Sequence, residues 1–115
     1  MTIQDGYGVV ICTCPNDEYA EKLACSLIEH KLAACVQITP IKSFYEWKGE
    51  ICRDEERLLL IKTKAALYNN LEDYITKGHP YEVPEIVMVP IARGFEKYLT
   101  WIDSSCSINI EQERS

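Results

Sequence analysis

The sequence lacks any long apolar run and any cluster of basic residues, and each shortage excludes a class of partner. Its longest apolar stretches are only a few residues long, well short of the ~20 that a transmembrane helix needs. Twelve basic residues stand against eighteen acidic ones, which gives a net charge of -6. The lysines and arginines are also scattered singly, whereas phosphate binding requires a basic face. We therefore expect neither a membrane nor a nucleic acid as a partner.

Signals for secretion, for phosphate binding and for a zinc ribbon are missing as well. The N-terminus, Met-Thr-Ile-Gln-Asp, has neither a positive cluster nor an apolar core, so it does not resemble a secretory signal. The sequence contains no glycine-rich phosphate loop. It also contains no Cys-x-x-Cys pair of the kind that forms zinc ribbons or thioredoxin-type redox sites. These observations favour a cytoplasmic protein.

Cysteine, in contrast, is plentiful, with six in 115 residues. An even number permits a disulfide framework, but such frameworks are typical of secreted chains. Several of the cysteines follow apolar residues, and a free thiol in apolar surroundings behaves as a small hydrophobic side chain. We therefore predict mostly reduced and buried cysteines, with a disulfide framework as the alternative. They are Cys12, Cys14, Cys25, Cys35, Cys52 and Cys106.

Hydrophobic periodicity predicts a single α+β domain over residues 1–115, with the element order β-α-β-β-α-β and an extra C-terminal helix. The predicted elements are strand 8–14, a helix from Asn16 to about Leu32, strand 35–47 with a break at Pro40, strand 50–63, helix 64–77, strand 85–90 and helix 95–104. Asn16 is the candidate N-cap of the first helix. The last helix should turn Tyr98, Leu99 and Ile102 inward. We expect a short edge strand at 107–110 and frayed ends at 1–6 and 111–115.

Two local features shape this domain. Lys48-Gly49 is a typical hairpin turn between arms of about a dozen residues, roughly twice the usual ~5–6 residues of a strand, so the hairpin should protrude. Pro80 and Pro84 exclude a helix or a central strand around them and predict a stiff, extended lead-in to the last strand. Gly78, just before this lead-in, is expected to end the preceding helix in a left-handed conformation.

The element order is the ferredoxin-like arrangement, in which right-handed crossovers place both main helices on one face of a four-stranded sheet. The other face then has no cover within the chain. Phe44, Tyr45 and Trp47 add aromatic surface to the protruding hairpin. A bare sheet face and an aromatic hairpin predict burial by another subunit, so we expect a homo-oligomer.

Several motifs resemble those of the CutA divalent-cation tolerance proteins, and the resemblance extends from about Val9 to Ile102. They are Cys12-Thr13 before Pro15, Lys31 to Val36, Tyr45 with Trp47-Lys48-Gly49-Glu50-Ile51, Leu58 to Thr63, His79 to Ile86 and Tyr98 to Ile102. The resemblance implies a ferredoxin-like subunit in a homotrimer, with the sheets packed around the three-fold axis and the hairpins reaching a neighbour.

The same resemblance implies tolerance of divalent cations, copper in particular, and a response to metal ions. In bacterial members the metal contacts correspond to Cys12 and His79 of this chain. Thiolate and imidazole suit copper or zinc, and strand alternation turns Cys14 to the same side as Cys12. Some relatives have a second histidine where this chain has Gly78, so we expect weak binding. The alternative is that Cys12 is simply a core residue and that His79 packs on Pro80.

Two further functions remain open. A ligand-sensing regulatory trimer, by analogy with PII-type signalling proteins, would bind a small anion or metabolite in clefts between subunits. The residues that could line such clefts are Tyr45, Trp47, Lys62, Tyr81 and Glu82. A trimeric platform for another protein is the other reading. We do not expect an enzyme, because catalytic pairings are hard to build from two histidines.

The charged segment 53–57 also has two readings. It could be a solvated part of the hairpin that deters edge-to-edge aggregation. It could instead supply ion pairs between subunits.

Overall fold

The computed structural model describes residues 6–107 and confirms the ferredoxin-like α+β fold. A short 3-10 helix, Ala65–Leu67, precedes α2. The main elements are β1 (Tyr7–Cys14), α1 (Asp17–Glu29), β2 (Cys35–Trp47), β3 (Glu50–Lys64), α2 (Tyr68–Gly78), β4 (Ile86–Ile91) and α3 (Glu96–Ser105). The predicted edge strand at 107–110 and the predicted frayed ends lie outside the described residues, except for Gly6 and Ser107. Each of these two makes a backbone hydrogen bond, to Ala65 and to Lys31 respectively.

The four strands form one antiparallel sheet in the order β2-β3-β1-β4. Strand alternation turns Val10, Cys12 and Cys14 of β1 toward the helices, and all three are fully buried. Residues of β3, α1 and α2 complete this core, which therefore lies between the sheet and the two helices. Its other large buried side chains include Leu27, Leu59, Ile61, Leu71 and Ile75.

The ends of the two main helices have identifiable causes. Asn16 caps α1 as predicted, because its side chain accepts a hydrogen bond of 2.9 Å from the Tyr19 amide. The prediction of a left-handed cap at Gly78 is wrong, because φ of Gly78 is not positive. Among the described residues, Gly49 is the one glycine with positive φ. Gly78 is the last residue of α2, and His79 turns extended at φ -75° and ψ 135°. The helix ends there because a following proline, Pro80, disfavours helical geometry.

The hairpin is as long as predicted, with arms of 13 and 15 residues. Its turn has Lys48 at φ 51° and Gly49 at φ 83°. The predicted break at Pro40 is wrong, because β2 runs unbroken and Pro40 lies opposite Arg57 in the register. β2 is an edge strand, and an edge tolerates proline because its missing donor can face away from the ladder.

Much of the sheet face opposite α1 and α2 lies open within residues 6–107. Val9 lies opposite Val89 and Ile11 opposite Val87 on this face, and the two β4 valines are each about half exposed. We call this surface the open face. It confirms the uncovered face expected from the element order.

Three smaller expectations need correction. Tyr98 is not turned inward but lies exposed and stacked on Trp101, with ring centroids 5.6 Å apart, whereas Ile102 is buried as predicted. The lead-in before β4 bends over residues 80–83 rather than running extended. The segment 53–57 is not uniformly solvated, because Glu56 is buried and Arg57 makes an ion pair with Asp17 of α1.

Candidate metal site

Cys12, Cys14 and His79 meet at one end of the core. Each offers one donor atom, and the three donor atoms lie within 4.8 Å of one another. The two cysteines come from the helix-facing side of β1, and His79 comes from the chain just after α2. We call this group the Cys-His cluster. It unites the two residues predicted as metal contacts with the additional sulfur expected from strand alternation.

The imidazole of His79 is held by hydrogen bonds at both nitrogens. The amide of Tyr81 donates to Nδ1 over 3.1 Å, so Nδ1 must be an acceptor. Nε2 lies 2.9 Å from the carbonyl oxygen of Thr13, which can only accept. The ring is therefore the neutral tautomer with its proton on Nε2. Both hydrogen bonds of the His79 ring are thus made with the backbone, one at the end of β1 and one at Tyr81.

The pKa values of the two thiols are shifted in opposite directions. The pKa of Cys12 is raised, first because its thiol hydrogen bonds to Cys14 and then because it is buried. The pKa of Cys14 is lowered because its sulfur accepts that hydrogen bond. A cation bound between the two sulfurs would favour the ionised form of both, and it would have to overcome the raised pKa of Cys12.

Two tyrosines flank the His79 ring. Tyr19 of α1 meets it edge-on, with the ring centroids 5.4 Å apart. The centroids of the Tyr81 and His79 rings are 4.8 Å apart. Burial is the main reason why the pKa of Tyr19 is raised to about 12. The cluster is therefore enclosed by aromatic side chains as well as by the core.

A groove of about 800 Å³ lies between the hairpin and the lead-in to β4. We call it the hairpin groove. It contains four of the five predicted cleft residues, namely Tyr45, Trp47, Tyr81 and Glu82. The fifth, Lys62, lies away from the groove and donates a 2.8 Å hydrogen bond to Gln37.

Carboxylates dominate the charge of the hairpin groove. Asp54, Glu56 and Glu85 line it together with Glu82, and no lysine or arginine of residues 6–107 does. Glu56 is only 7% exposed and accepts a 2.7 Å hydrogen bond from the phenol of Tyr81. Asp54 accepts one from the phenol of Tyr45. This lining disfavours the small anion that the sequence had suggested as a ligand.

Sequence reasoning missed the supporting residues of both features. The Thr13 carbonyl leaves no signal in a sequence, since any residue supplies one. The sequence analysis treated Glu56 as one of several charged residues in the segment 53–57. Its burial becomes visible only in the structure, where it lies opposite Ile41 in the β2–β3 register. The fold brings these groups to His79 and Tyr81.

Comparisons with known proteins agree with this architecture. The sequence profile described as CutA1 divalent ion tolerance protein matches residues 8–105. Protein CutA, chloroplastic, of Arabidopsis thaliana is 47% identical over 98 residues, which are 84% of this chain and 54% of the relative. The Protein CutA homolog of Xenopus laevis is 48% identical over 91 residues, 78% of this chain and 60% of the relative. This chain thus spans little more than half the length of these two relatives.

A bacterial relative and a solved structure match over nearly their whole length. The divalent-cation tolerance protein CutA of Thermus thermophilus is 46% identical over 95 residues, covering 82% of this chain and 92% of the relative. The crystal structure of CutA1 from Oryza sativa superposes with a TM-score of 0.88 at 41% identity, covering 94% of this chain and all of that one.

The family is described by its relation to divalent cations rather than by a catalysed reaction. Within the described residues, no helix has the length and apolar character needed to span a membrane. The family profile covers most of the chain, and the relatives share the fold as well as the sequence. The chain therefore belongs to the CutA1 divalent ion tolerance protein family.

Proposed function

We propose that this protein is a homotrimeric divalent-cation tolerance protein that binds copper or zinc weakly through the Cys-His cluster. The observation that carries this proposal is the convergence of two thiols and one imidazole within 4.8 Å. Thiolates are soft ligands that select Cu(I) and Zn(II), and imidazole suits both metals. We propose no catalytic role.

Weak binding follows from the groups that a metal must displace. Both nitrogens of His79 already have hydrogen-bond partners, and the sulfurs hold protons. The raised pKa of Cys12 means that its proton is given up reluctantly at neutral pH. Metal binding should therefore release protons, and the affinity should rise with pH.

Isothermal titration of reduced protein with Cu(I) and with Zn(II), under anaerobic conditions, tests the site. The double variant Cys12→Ser/His79→Ala should bind at least about tenfold more weakly than the parent, because it loses two of three donors. The matched control is Cys25→Ser/His30→Ala, which removes an exposed thiol and an exposed imidazole from α1 and its cap. Equal affinities for the parent and the site variant would rule out the cluster as the binding site.

The open face supports assembly into a homo-oligomer. Its half-exposed valines, Val87 and Val89, and the exposed aromatic residues of the hairpin, Phe44 and Trp47, supply apolar surface for a partner subunit. That the oligomer is a trimer rests on the family resemblance. We also propose a cytoplasmic location, because all six cysteines are unpaired, including the exposed Cys25, and free thiols persist in reducing compartments.

The hairpin groove supports a second candidate function, that of a ligand-sensing regulatory trimer. Its volume is in the range of small-molecule sites, and its aromatic and carboxylate lining suits a cationic ligand. A thermal-shift screen that compares organic amines with carboxylates of similar size tests this candidate. Stabilisation by amines alone is expected, and no stabilisation by either class would argue against it.

A further inference from the structure

The Cys-His cluster and the hairpin groove are joined by one short segment, His79-Pro80-Tyr81. His79 contacts the end of β1 through the Thr13 carbonyl. Two residues later, the side chain of Tyr81 reaches Glu56 in the groove. The rings of His79 and Tyr81 also contact each other, with centroids 4.8 Å apart.

Tyr81 is held by its backbone amide and by its phenol. Its amide donates to Nδ1 of His79 over 3.1 Å, and its phenol donates to Glu56 over 2.7 Å. The carboxylate of Glu56 is held in place because the residue is only 7% exposed. Pro80 limits the freedom of the backbone between the two rings. A change at the His79 ring must therefore be accommodated by Tyr81.

Coordination of a metal by His79 takes the acceptor away from the Tyr81 amide, whichever nitrogen is used. If Nδ1 binds the metal, its lone pair is no longer free to accept the amide proton. If Nε2 binds the metal, its proton must leave, and the neutral ring then carries a proton on Nδ1. That proton would face the amide proton of Tyr81, donor against donor. Both routes break the same hydrogen bond.

We propose that Tyr81 couples metal binding at the Cys-His cluster to the shape of the hairpin groove. The metal-free ring holds the Tyr81 backbone in place and thereby holds the phenol against Glu56. A bound metal releases the backbone, and the phenol leaves the carboxylate. The coupling is reciprocal, so a ligand that displaces the Tyr81 phenol from Glu56 also strengthens metal binding.

This inference rests on the proposed metal site, and Tyr81 serves in it as a positioning residue rather than as a ligand. Its side chain sets how much rearrangement metal binding requires. Removal of the phenol hydroxyl should therefore make metal binding easier, although the hydroxyl touches no metal donor. A residue with a merely structural role would weaken binding or leave it unchanged.

The test is a titration of reduced, 15N-labelled full chain with Zn(II) alone, followed by NMR. In the metal-free protein, the ring of His79 should show the proton on Nε2. Zinc should shift the Tyr81 amide proton in the direction of a lost hydrogen bond. It should also perturb the indole signal of Trp47, which lies in the groove away from the cluster.

Tyr81→Phe provides the second measurement, because it removes only the bond to Glu56. It should bind Zn(II) about fivefold more tightly than the parent, or more. Tyr68→Phe is the control, since its phenol bonds to Glu72 and to the Ile86 carbonyl and not to the joining segment. This control should bind zinc as the parent does.

The outcomes separate this inference from the proposed function. If the parent binds zinc through the cluster while the Tyr81 amide does not shift and Tyr81→Phe has unchanged affinity, the coupling is wrong and the metal site stands. If the parent binds no zinc, the proposed metal site is wrong and the coupling falls with it.

Discussion

Tyr68 demonstrates how burial and a neighbouring carboxylate together alter one side chain. Its phenol donates a hydrogen bond of 2.6 Å to Glu72 and lies 3.2 Å from the carbonyl oxygen of Ile86. Burial first, and then the bond to Glu72, raise the pKa of Tyr68 to about 12. An unperturbed tyrosine has a pKa of about 10. The folded protein therefore holds the phenolic proton more tightly than the unfolded chain does.

This difference predicts how stability depends on pH. Because the folded pKa is raised, the stabilisation is complete below about pH 10 and is lost as the pH rises toward 12. Tyr68→Phe should thus lose less stability than the parent between these two pH values. Urea midpoints measured at pH 8, 10 and 11 on the two proteins check this prediction.

Tyr98→Phe is the matched control, since Tyr98 lies on the exposed surface of α3. The urea midpoint of Tyr98→Phe should fall with rising pH as much as that of the parent. A steeper alkaline decline in Tyr68→Phe than in the parent would contradict the assigned direction of the pKa shift.

At the scale of elements, the two glycines at the hairpin turn and at the end of α2 differ in backbone conformation. Gly49 completes the hairpin turn at φ 83°, a conformation that residues with a Cβ rarely adopt. Gly78 ends α2 without positive φ. Neither residue has an atom within 4 Å of the place where a Cβ would stand, so backbone conformation alone distinguishes them.

Alanine at the two positions should therefore act in opposite directions. Gly49→Ala should lower the free energy of unfolding by about 1–2 kcal/mol, since it forces a left-handed conformation on a residue with a Cβ. Gly78→Ala should raise it by about 0.5–1 kcal/mol, because alanine loses less chain entropy on folding. Urea denaturation of both variants measures the changes, and changes of the same sign would contradict the assigned conformations.

At the scale of the whole molecule, we expect the open face to form the contacts of the proposed assembly. Val89→Asp places a charge among apolar residues of this face and should dissociate the proposed trimer, because an unpaired charge is costly to bury. Sedimentation velocity should detect a fall from the mass of three chains to that of one.

Ile28→Asp offers a comparable change on the helical side of the molecule. Ile28 in α1 is 40% exposed and Val89 is 49% exposed, so the two substitutions differ mainly in the face that they alter. The Ile28 variant should remain a trimer. A monomeric parent, or a Val89 variant with unchanged mass, would overturn the assignment of this face.

The order of the elements, the length of the hairpin and the cap at Asn16 could all be predicted from the amino-acid sequence. These features depend on periodicity and on residues adjacent in the chain, so local physical chemistry suffices to predict them. The pairing of Cys12 with His79 came from a family resemblance, while strand alternation added Cys14. The errors at Pro40 and Gly78 were also local. In one case the edge position of β2 tolerated the proline, and in the other Pro80 ended the helix.

The tertiary structure alone decided what surrounds these residues. The tautomer of His79 depends on the Thr13 carbonyl, which is 66 positions away in the chain, and the carboxylate of Glu56 finds its hydrogen-bond partner in Tyr81. Lys62 does not line the groove, because strand register places it beside Gln37 instead. Hydrogen bonds between distant segments form only after the sheet and helices have packed, and periodicity carries no record of them. The chemistry of the candidate site was therefore decided by packing, whereas its donor residues could be named in advance.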